Sequence, residues 1–267
     1  MFWAAPDAAS TVRGVKELGV DCGQLGVAGD FPLDGAAAVW KPVLRTERFE
    51  LSTVFAAYVG EDYADIPTVE RTVGFIPAAT RDERERRTYE ISDFAAAIGC
   101  KSIACHIGFV PHDTAHPNYV AVRDLVRRVC DYAAKNGQTF ALETGQEPAD
   151  TLLRFFRDVD RPNLGINFDP ANLILYGTDE PLPALGLLGK HVISVHAKDG
   201  DWPPKDKPGA LGTERPLGQG AVNIPRFIEK LREIGYQGQV NIEREGTSPE
   251  QWRRDVKAAV ELLKSLV

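Results

Sequence analysis

Short apolar runs alternate with longer stretches in which apolar residues recur every three or four positions. The runs predict strands at Val20–Gly26, Leu51–Val59, Lys101–Cys105, Thr139–Leu142, Leu164–Phe168, Val192–Val195 and Gln239–Ile242. The periodic stretches predict helices at Ala8–Leu18, Ala36–Phe49, Thr80–Ile98, Tyr119–Ala134, Pro148–Val159, Pro181–Leu188, Ile224–Ile234 and Pro249–Leu266, with a shorter one at Ala171–Leu175.

Punctuation supports these boundaries. Gly19, Gly99 and Gly235 stand just past helices, and Asp7 or Ser10 can cap the first. Pro42 kinks the second helix or sits in its first turn. Ser248 and Gln251 form a capping box, with Pro249 and Glu250 in the first turn. The charged run Arg81–Arg87 reads as a solvated helix face. Two long segments, Gly60–Ala79 and Gly200–Gly220, read as loops, and loops of this length at strand ends are functional or covering elements.

Seven strands and eight helices in alternation imply a parallel sheet, with Met1–Ala4 as a stub where a first strand belongs. A (β/α)8 barrel with a short or truncated strand 1, spanning 1–267 as a single domain, fits length and count. The competitor is a doubly wound open sheet, which the lack of a Gly-x-Gly-x-x-Gly or phosphate-loop pattern disfavours.

Composition narrows the function classes. A net charge of −7 and pI near 5.4 argue against a nucleic-acid binder. No apolar run reaches the roughly 18 residues of a membrane span, and Met1–Asp7 lacks the features of a signal peptide. The four cysteines contain no Cys-x-x-Cys pair and read as reduced thiols of a cytoplasmic protein.

The chemistry gathers between Thr139 and Asp199. Three apolar runs there end in Glu143, Asp169 and His196, spaced 26 and 27 residues apart, as in repeated βα units. The strands to Cys105 and Ile242 likewise end in His106 and Glu243. In a parallel barrel all five ends meet at one mouth. Two Glu, one Asp and one His are a hard, oxygen-rich donor set that suits Mn²⁺, Mg²⁺ or Co²⁺ and also admits Zn²⁺. A divalent ion that holds a carbonyl and an adjacent hydroxyl acidifies the carbon-bound proton between them. One glutamate removes it through a metal-stabilised enediolate, and a second returns a proton on the other face. Glu143 and Glu243 are the candidate pair.

The segments Ala141-Leu142-Glu143-Thr144-Gly145-Gln146, Asn167-Phe168-Asp169-Pro170-Ala171-Asn172, Ser194-Val195-His196-Ala197-Lys198-Asp199, Gly218-Gln219-Gly220 and Asn241-Ile242-Glu243 together resemble the xylose isomerase-like sugar phosphate isomerase/epimerase family, from about Ala8 to the C-terminus. The resemblance implies a TIM barrel. It also implies Glu143, Asp169, His196 and Glu243 as ligands of one divalent metal, Glu143 and Glu243 as the acid/base pair, and substrate contacts from His106, Gln146, Lys198 and Arg215. The short first strand departs from the family pattern. Endonuclease IV-like repair enzymes share the fold, but they carry a His three residues after the Asp, where Asn172 stands here. They also have an Asp-x-His pair where this chain has Glu214-Arg215-Pro216.

The expected activity is therefore a metal-dependent sugar, sugar phosphate or keto-sugar isomerase or epimerase. A dehydratase or lyase on a keto-sugar or keto-inositol is the alternative, and a non-catalytic sugar-binding barrel a minor one. No phosphate cradle is visible, so a non-phosphorylated sugar stands at least level with a sugar phosphate. His112 and His116 read as solvent-facing. Trp202 either caps the pocket or packs its loop, and Trp3 joins the pocket only if strand 1 forms. Lys198 contacts a substrate anion or pairs with Asp199. The expected partners are a small sugar and further copies of the chain, with no nucleic acid and no membrane.

Overall fold

The computed structural model describes residues 1–266. One sheet holds eight parallel strands: β1 (Phe2–Trp3), β2 (Cys22–Val27), β3 (Glu50–Ala56), β4 (Ser102–Cys105), β5 (Thr139–Glu143), β6 (Leu164–Phe168), β7 (Val192–Ala197) and β10 (Val240–Ile242). They lie side by side in chain order. A doubly wound sheet reverses its order at a switch point, so the strand order excludes that competitor, and the fold is a TIM barrel. Strand 1 is the two-residue stub the sequence foretold, paired through Phe2 with Leu25 and Trp3 with Gly26. Across the seam between the two end strands, the Met1 nitrogen donates to the Ile242 carbonyl.

Helices cover the outside: α1 (Ala8–Lys16), α2 (Ala36–Glu47), α3 (Ile66–Thr72), α4 (Arg81–Ile98), α5 (Pro117–Lys135), α6 (Ala149–Val159), α7 (Pro170–Tyr176), α8 (Pro181–Leu188), α9 (Ile224–Glu233) and α10 (Pro249–Leu266). The two-residue period of the strands divides their side chains. Val54, Ile103, Phe140, Leu142, Ile166, Phe168 and Val195 join the main core with the helices. Phe55, Ala104 and Ala141 cluster separately, and Gln24, Asn167, Ser194 and His196, one residue off the core positions, hydrogen-bond to one another across the barrel interior. The interior is therefore small and polar beneath the mouth.

Several expectations change. The Gly60–Ala79 segment contains α3, started by Asp65, whose carboxylate accepts from Thr68 N at 2.8 Å. The Gly200–Gly220 segment is framed by an antiparallel hairpin of β8 (Asp199–Asp201) and β9 (Thr213–Arg215). Pro42 lies inside α2 rather than in its first turn, on the exposed side, where water can satisfy the freed carbonyl. The capping box of α10 is half made. Ser248 Oγ accepts from Gln251 N at 3.3 Å, but the Gln251 amide turns to Asp255 Oδ1 at 2.6 Å.

The charged face of α4 is not simply solvated. Arg84 is only 4% exposed and donates to the Gly74 and Val59 carbonyls at 2.6 and 3.1 Å. Arg81 donates to Phe75 O and Ile76 O, each at 2.7 Å, and Arg87 to Phe31 O at 2.5 Å. These guanidiniums anchor the loops around the barrel mouth. The segment between β3 and α4 is also tied to itself, because Glu61 accepts from Tyr58 N and Gly74 N, both at 2.9 Å.

Candidate metal centre and pocket

Glu143, Asp169, His196 and Glu243 come from four adjacent positions in the sheet, at or just beyond the ends of β5, β6, β7 and β10. Their donor atoms lie within 4.8 Å of one another, and all four side chains are buried. His196 is central. Its Nδ1 is 2.9 Å from Glu143 Oε1, 2.8 Å from Glu243 Oε2 and 3.5 Å from Asp169 Oδ2. Glu143 and Glu243 form the two ends of the arc.

The strand ends are stapled so that the arc is held. Thr144 Oγ1 accepts from Asp169 N at 2.8 Å and donates to Asp169 O at 2.9 Å, locking the end of β5 to the end of β6. Gly145 follows at φ +144°, and a Cβ there would come within 2.5 Å of Asn172 Cβ, so this close approach requires glycine. Asp169 starts α7 with one oxygen only: Oδ1 accepts from Asn172 N at 2.9 Å.

A relay of amides below the arc fixes the ligands. His196 Nε2 lies 2.7 Å from Gln24 Oε1, which can only accept, so Nε2 carries a proton and Nδ1 is the ring atom turned to the carboxylates. Gln24 Nε2 in turn donates to Asn167 Oδ1 at 2.8 Å and Ser194 Oγ at 2.5 Å, and Asn167 Nδ2 donates to Glu143 Oε2.

These residues fit a divalent cation. Asp169 Oδ2 is buried and has no hydrogen-bond partner among the described residues, which is costly for a carboxylate oxygen unless a cation satisfies it. Lys198 Nζ sits 3.3 Å from Glu243 Oε2 and 3.8 Å from Asp169 Oδ2. With the imidazole neutral, as a metal ligand must be, three carboxylates and one ammonium leave two negative charges, which a divalent ion balances.

Protonation follows the same crowding. Burial pushes Glu143 up to about 7. Burial would also raise Glu243, but His196 and Lys198 outweigh it and hold that carboxyl well below its ordinary value. Burial disfavours the charged forms of His196 and Lys198, yet the surrounding carboxylates hold both well above their ordinary values.

The cluster opens into a pocket of about 450 Å³, lined on its walls by Trp3, Phe55, Tyr63, His106, Tyr176 and Lys198. His106 lies between Phe55 and Tyr63, with ring centroids 5.6 and 5.7 Å away. Burial pushes its pKa down to about 3, so the imidazole is neutral. Gln146 stands behind it, with Nε2 3.4 Å from His106 Nδ1, and does not itself line the pocket. Lys198 turns to the metal-type carboxylates and to Asn172 Oδ1 at 3.3 Å, not to Asp199. Asp199 instead accepts from the amides of Gly200, Gly218, Gly220 and Val222 at 2.9–3.1 Å and so holds the Gly218–Gly220 turn.

Arg215 is exposed, pairs with Asp201 at 2.6 Å and is outside the pocket lining. His112 bonds Thr151 Oγ1 at 3.0 Å, and His116 caps α5 by accepting from Asn118 N at 3.1 Å. Trp202 is likewise outside the lining, whereas β1 forms and Trp3 joins it.

Gln24, Asn167 and Ser194 are not singled out in the sequence, and Asn172 is noted there only as standing where repair enzymes carry a His. A signal was present for Asn167 and Ser194. Each lies two residues before a ligand, on the same strand face. Gln24 lies within an apolar strand, where it reads as a boundary residue.

A family model described as xylose isomerase-like TIM barrel matches residues 12–266. A solved xylose isomerase domain protein from Planctomyces limnophilus is 42% identical, with a TM-score of 0.90 over 94% of this chain and 90% of that one. A D-tagatose 3-epimerase-like protein is 20% identical, with a TM-score of 0.73 over 100% of this chain and 97% of that one. An uncharacterised Methanocaldococcus jannaschii protein is 29% identical over 182 residues, 64% of this chain, which spans only 57% of that relative. The same fold, at 17–20% identity, occurs in a Mycobacterium smegmatis barrel in complex with magnesium, a Methylomonas D-allulose 3-epimerase in complex with D-allulose, and the probable 3-DHS dehydratase of Bacillus anthracis.

Proposed function

The chain belongs to the xylose isomerase-like TIM barrel family, and from that premise we propose that it is a divalent-metal-dependent isomerase. In this reading it is an epimerase or aldose–ketose isomerase that moves a proton on the carbon beside the carbonyl of a sugar or keto-sugar. The observation that carries this reading is the arc itself: two buried glutamates at opposite ends of a four-residue donor set, at the floor of a sugar-sized pocket. Neighbours with the same fold that are described as epimerases, and one described in complex with magnesium, support it.

Glu143, Asp169, His196 and Glu243 would hold the ion, with Mn²⁺, Mg²⁺ or Co²⁺ suiting the oxygen-rich set and Zn²⁺ also accommodated. When bound, it would draw charge from the carbonyl and adjacent hydroxyl oxygens and acidify the proton between them. One of Glu143 and Glu243 removes that proton, and the other returns one to the opposite face. Neutral His106 donates or accepts a hydrogen bond at a substrate hydroxyl, and Gln146 holds its ring. Lys198 brings positive charge to the same wall. It is the one cationic side chain in the lining among the described residues, while Glu61, Glu214 and Glu245 also line it. That balance favours an uncharged sugar over a sugar phosphate.

Glu243→Gln tests the roles. The variant should slow solvent deuterium exchange into substrate by about a hundredfold or more, with circular dichroism unchanged. An unchanged rate would remove Glu243 from proton transfer. Loss of water from the product, read by mass spectrometry, would mark a dehydratase instead.

A further inference from the structure

We infer that Arg244 is a positioning residue: its guanidinium, fixed between Glu214 and Asp255, holds Glu243 in the donor arc. This role rests on the proton-transfer reading above and adds to it what keeps one of the two glutamates in place.

Glu243 is the least supported member of the arc. Strands β5, β6 and β7 are each paired on both sides, whereas among the described residues β10 pairs only with β7, from Val240 to Ile242. No ladder joins β10 to β1 there, and the Met1 nitrogen bonded to Ile242 O crosses that seam. The Thr144 staple holds Asp169, and the amide relay holds His196 and Glu143, but neither reaches Glu243. From the β7 side its backbone is held by Glu243 N donating to Ala197 O at 3.1 Å.

Arg244 supplies the other side. Ile242 packs outward with Trp252 and Val256 of α10, and Arg244, two residues on, follows on that outer face. Its Nε donates to Asp255 Oδ2 of α10 at 2.8 Å. Its Nη1 donates to Glu214 Oε1 of β9 at 2.7 Å and to Glu245 O at 3.0 Å. Glu214 Oε1 also accepts from Glu245 N at 2.9 Å, and Gln251 Nε2 donates to Asp255 Oδ1 at 2.6 Å. The three charged side chains are only 7–16% exposed, so salt screens them little. A planar guanidinium serves two carboxylates and a carbonyl at fixed angles, which a lysine ammonium does not. Arg244 is outside the lining of the 450 Å³ pocket, so it acts through Glu243 rather than on a substrate.

Glu214 is a firm post for this clamp. In an eight-stranded ring β3 and β7 stand four places apart, on opposite sides of the mouth. The β8–β9 segment that follows β7 nevertheless meets α3, which follows β3. Ile66 N donates to Gly209 O at 2.9 Å, and Leu211 packs with Val69, Val73 and Tyr176. The segment therefore spans the mouth, and Glu214 sits where it returns, paired with Gly200 in the hairpin. Arg244 ties the chain at Glu243 to this span on one side and to α10 on the other.

The test uses Mn²⁺ alone as the probe, followed by calorimetric titration. Removing a positive charge near a cation site would by itself tighten binding, whereas loosening a ligand weakens it, so the sign separates the two effects. Arg244→Met should weaken Mn²⁺ binding about tenfold, and Arg244→Lys should recover part of that loss. In a Glu243→Ala background the same Arg244→Met change should shift affinity by less than about twofold, because no carboxylate is left to hold. Unchanged or tighter binding in Arg244→Met, or equal losses with and without Glu243, would overturn the inference. Amide hydrogen exchange of the metal-free protein judges the clamp by itself. Arg244→Met should speed exchange at Glu243 and Glu245 about tenfold or more while β5 and β6 keep their protection. No change at those two amides, or protection lost evenly across the sheet, would also overturn it. A wild-type protein that takes up no Mn²⁺ would count against the metal-dependent reading instead, and the amide exchange then decides the clamp.

Discussion

Each oxygen of Asp169 has a different neighbour: Oδ1 accepts the Asn172 amide at 2.9 Å, while Oδ2 is buried without a hydrogen-bond partner among the described residues. One carboxylate thus starts a helix and leaves a lone pair for a cation. His196 is divided in the same way, with Nε2 committed to Gln24 and Nδ1 turned to the carboxylates. Gln24→Met should therefore keep the fold but leave the imidazole proton unpaired and the ring free to turn. Metal affinity should fall about tenfold to a hundredfold by calorimetric titration, and an unchanged affinity would show that the ring is held by packing alone. The four arc residues were legible in the sequence because a charged residue that ends an apolar run stands out. Their supports were not, because a Gln or Asn inside a strand gains its meaning only when other strands bring its partners, 143 residues away between Gln24 and Asn167.

At the scale of elements, strands and helices were readable from periodicity, and their ends shifted by a few residues where caps and ladders decide. The errors fall in the long connections. The helix of residues 66–72 is too short to build a periodic signal, and the hairpin of β8 and β9 depends on Asp199 gathering amides from residues 200–222. The charged run on α4 reads as solvated because helical spacing cannot tell that a loop folds back over it. Arg84→Met would strand the Gly74 and Val59 carbonyls and expose the tie between β3 and α4. It should cost about 2–4 kcal/mol in urea unfolding, with limited proteolysis cutting first within residues 60–79. Wild-type stability with no new cleavage would mean that the loop is held without that guanidinium.

For the whole molecule, eight parallel strands in sequential order bring residues from positions 143 to 243 to one mouth. That convergence is what the repeat spacing of the ligands encodes. No helix among the described residues is long and apolar enough to cross a membrane. The fold also buries a carboxyl group outside the arc. Glu147 accepts from Val110 N at 2.7 Å through Oε1, its Oε2 has no partner among the described residues, and burial pushes its pKa up to about 8. An unfolded glutamate releases its proton near 4.3, so between about pH 4.3 and 8 the folded chain holds a proton that the unfolded chain has lost. This contribution to stability is therefore present at low pH and lost as pH rises across that window, by about 1.4 kcal/mol per pH unit. Glu147→Gln, which does not titrate, should gain on wild type by that slope in urea unfolding at successive pH values. A difference independent of pH would mean that Glu147 is ionised in the folded protein.

The most direct test of metal-dependent proton transfer beside a carbonyl is NMR of a panel of ketoses and keto-sugars in D₂O, with the protein loaded with Mn²⁺, Mg²⁺ or Co²⁺ and then stripped by chelator. The predicted result is deuterium on the carbon beside the carbonyl of at least one sugar, lost on chelation and restored by the ion. Exchange that survives complete chelation, or a protein that takes up no divalent ion and exchanges nothing, would contradict it.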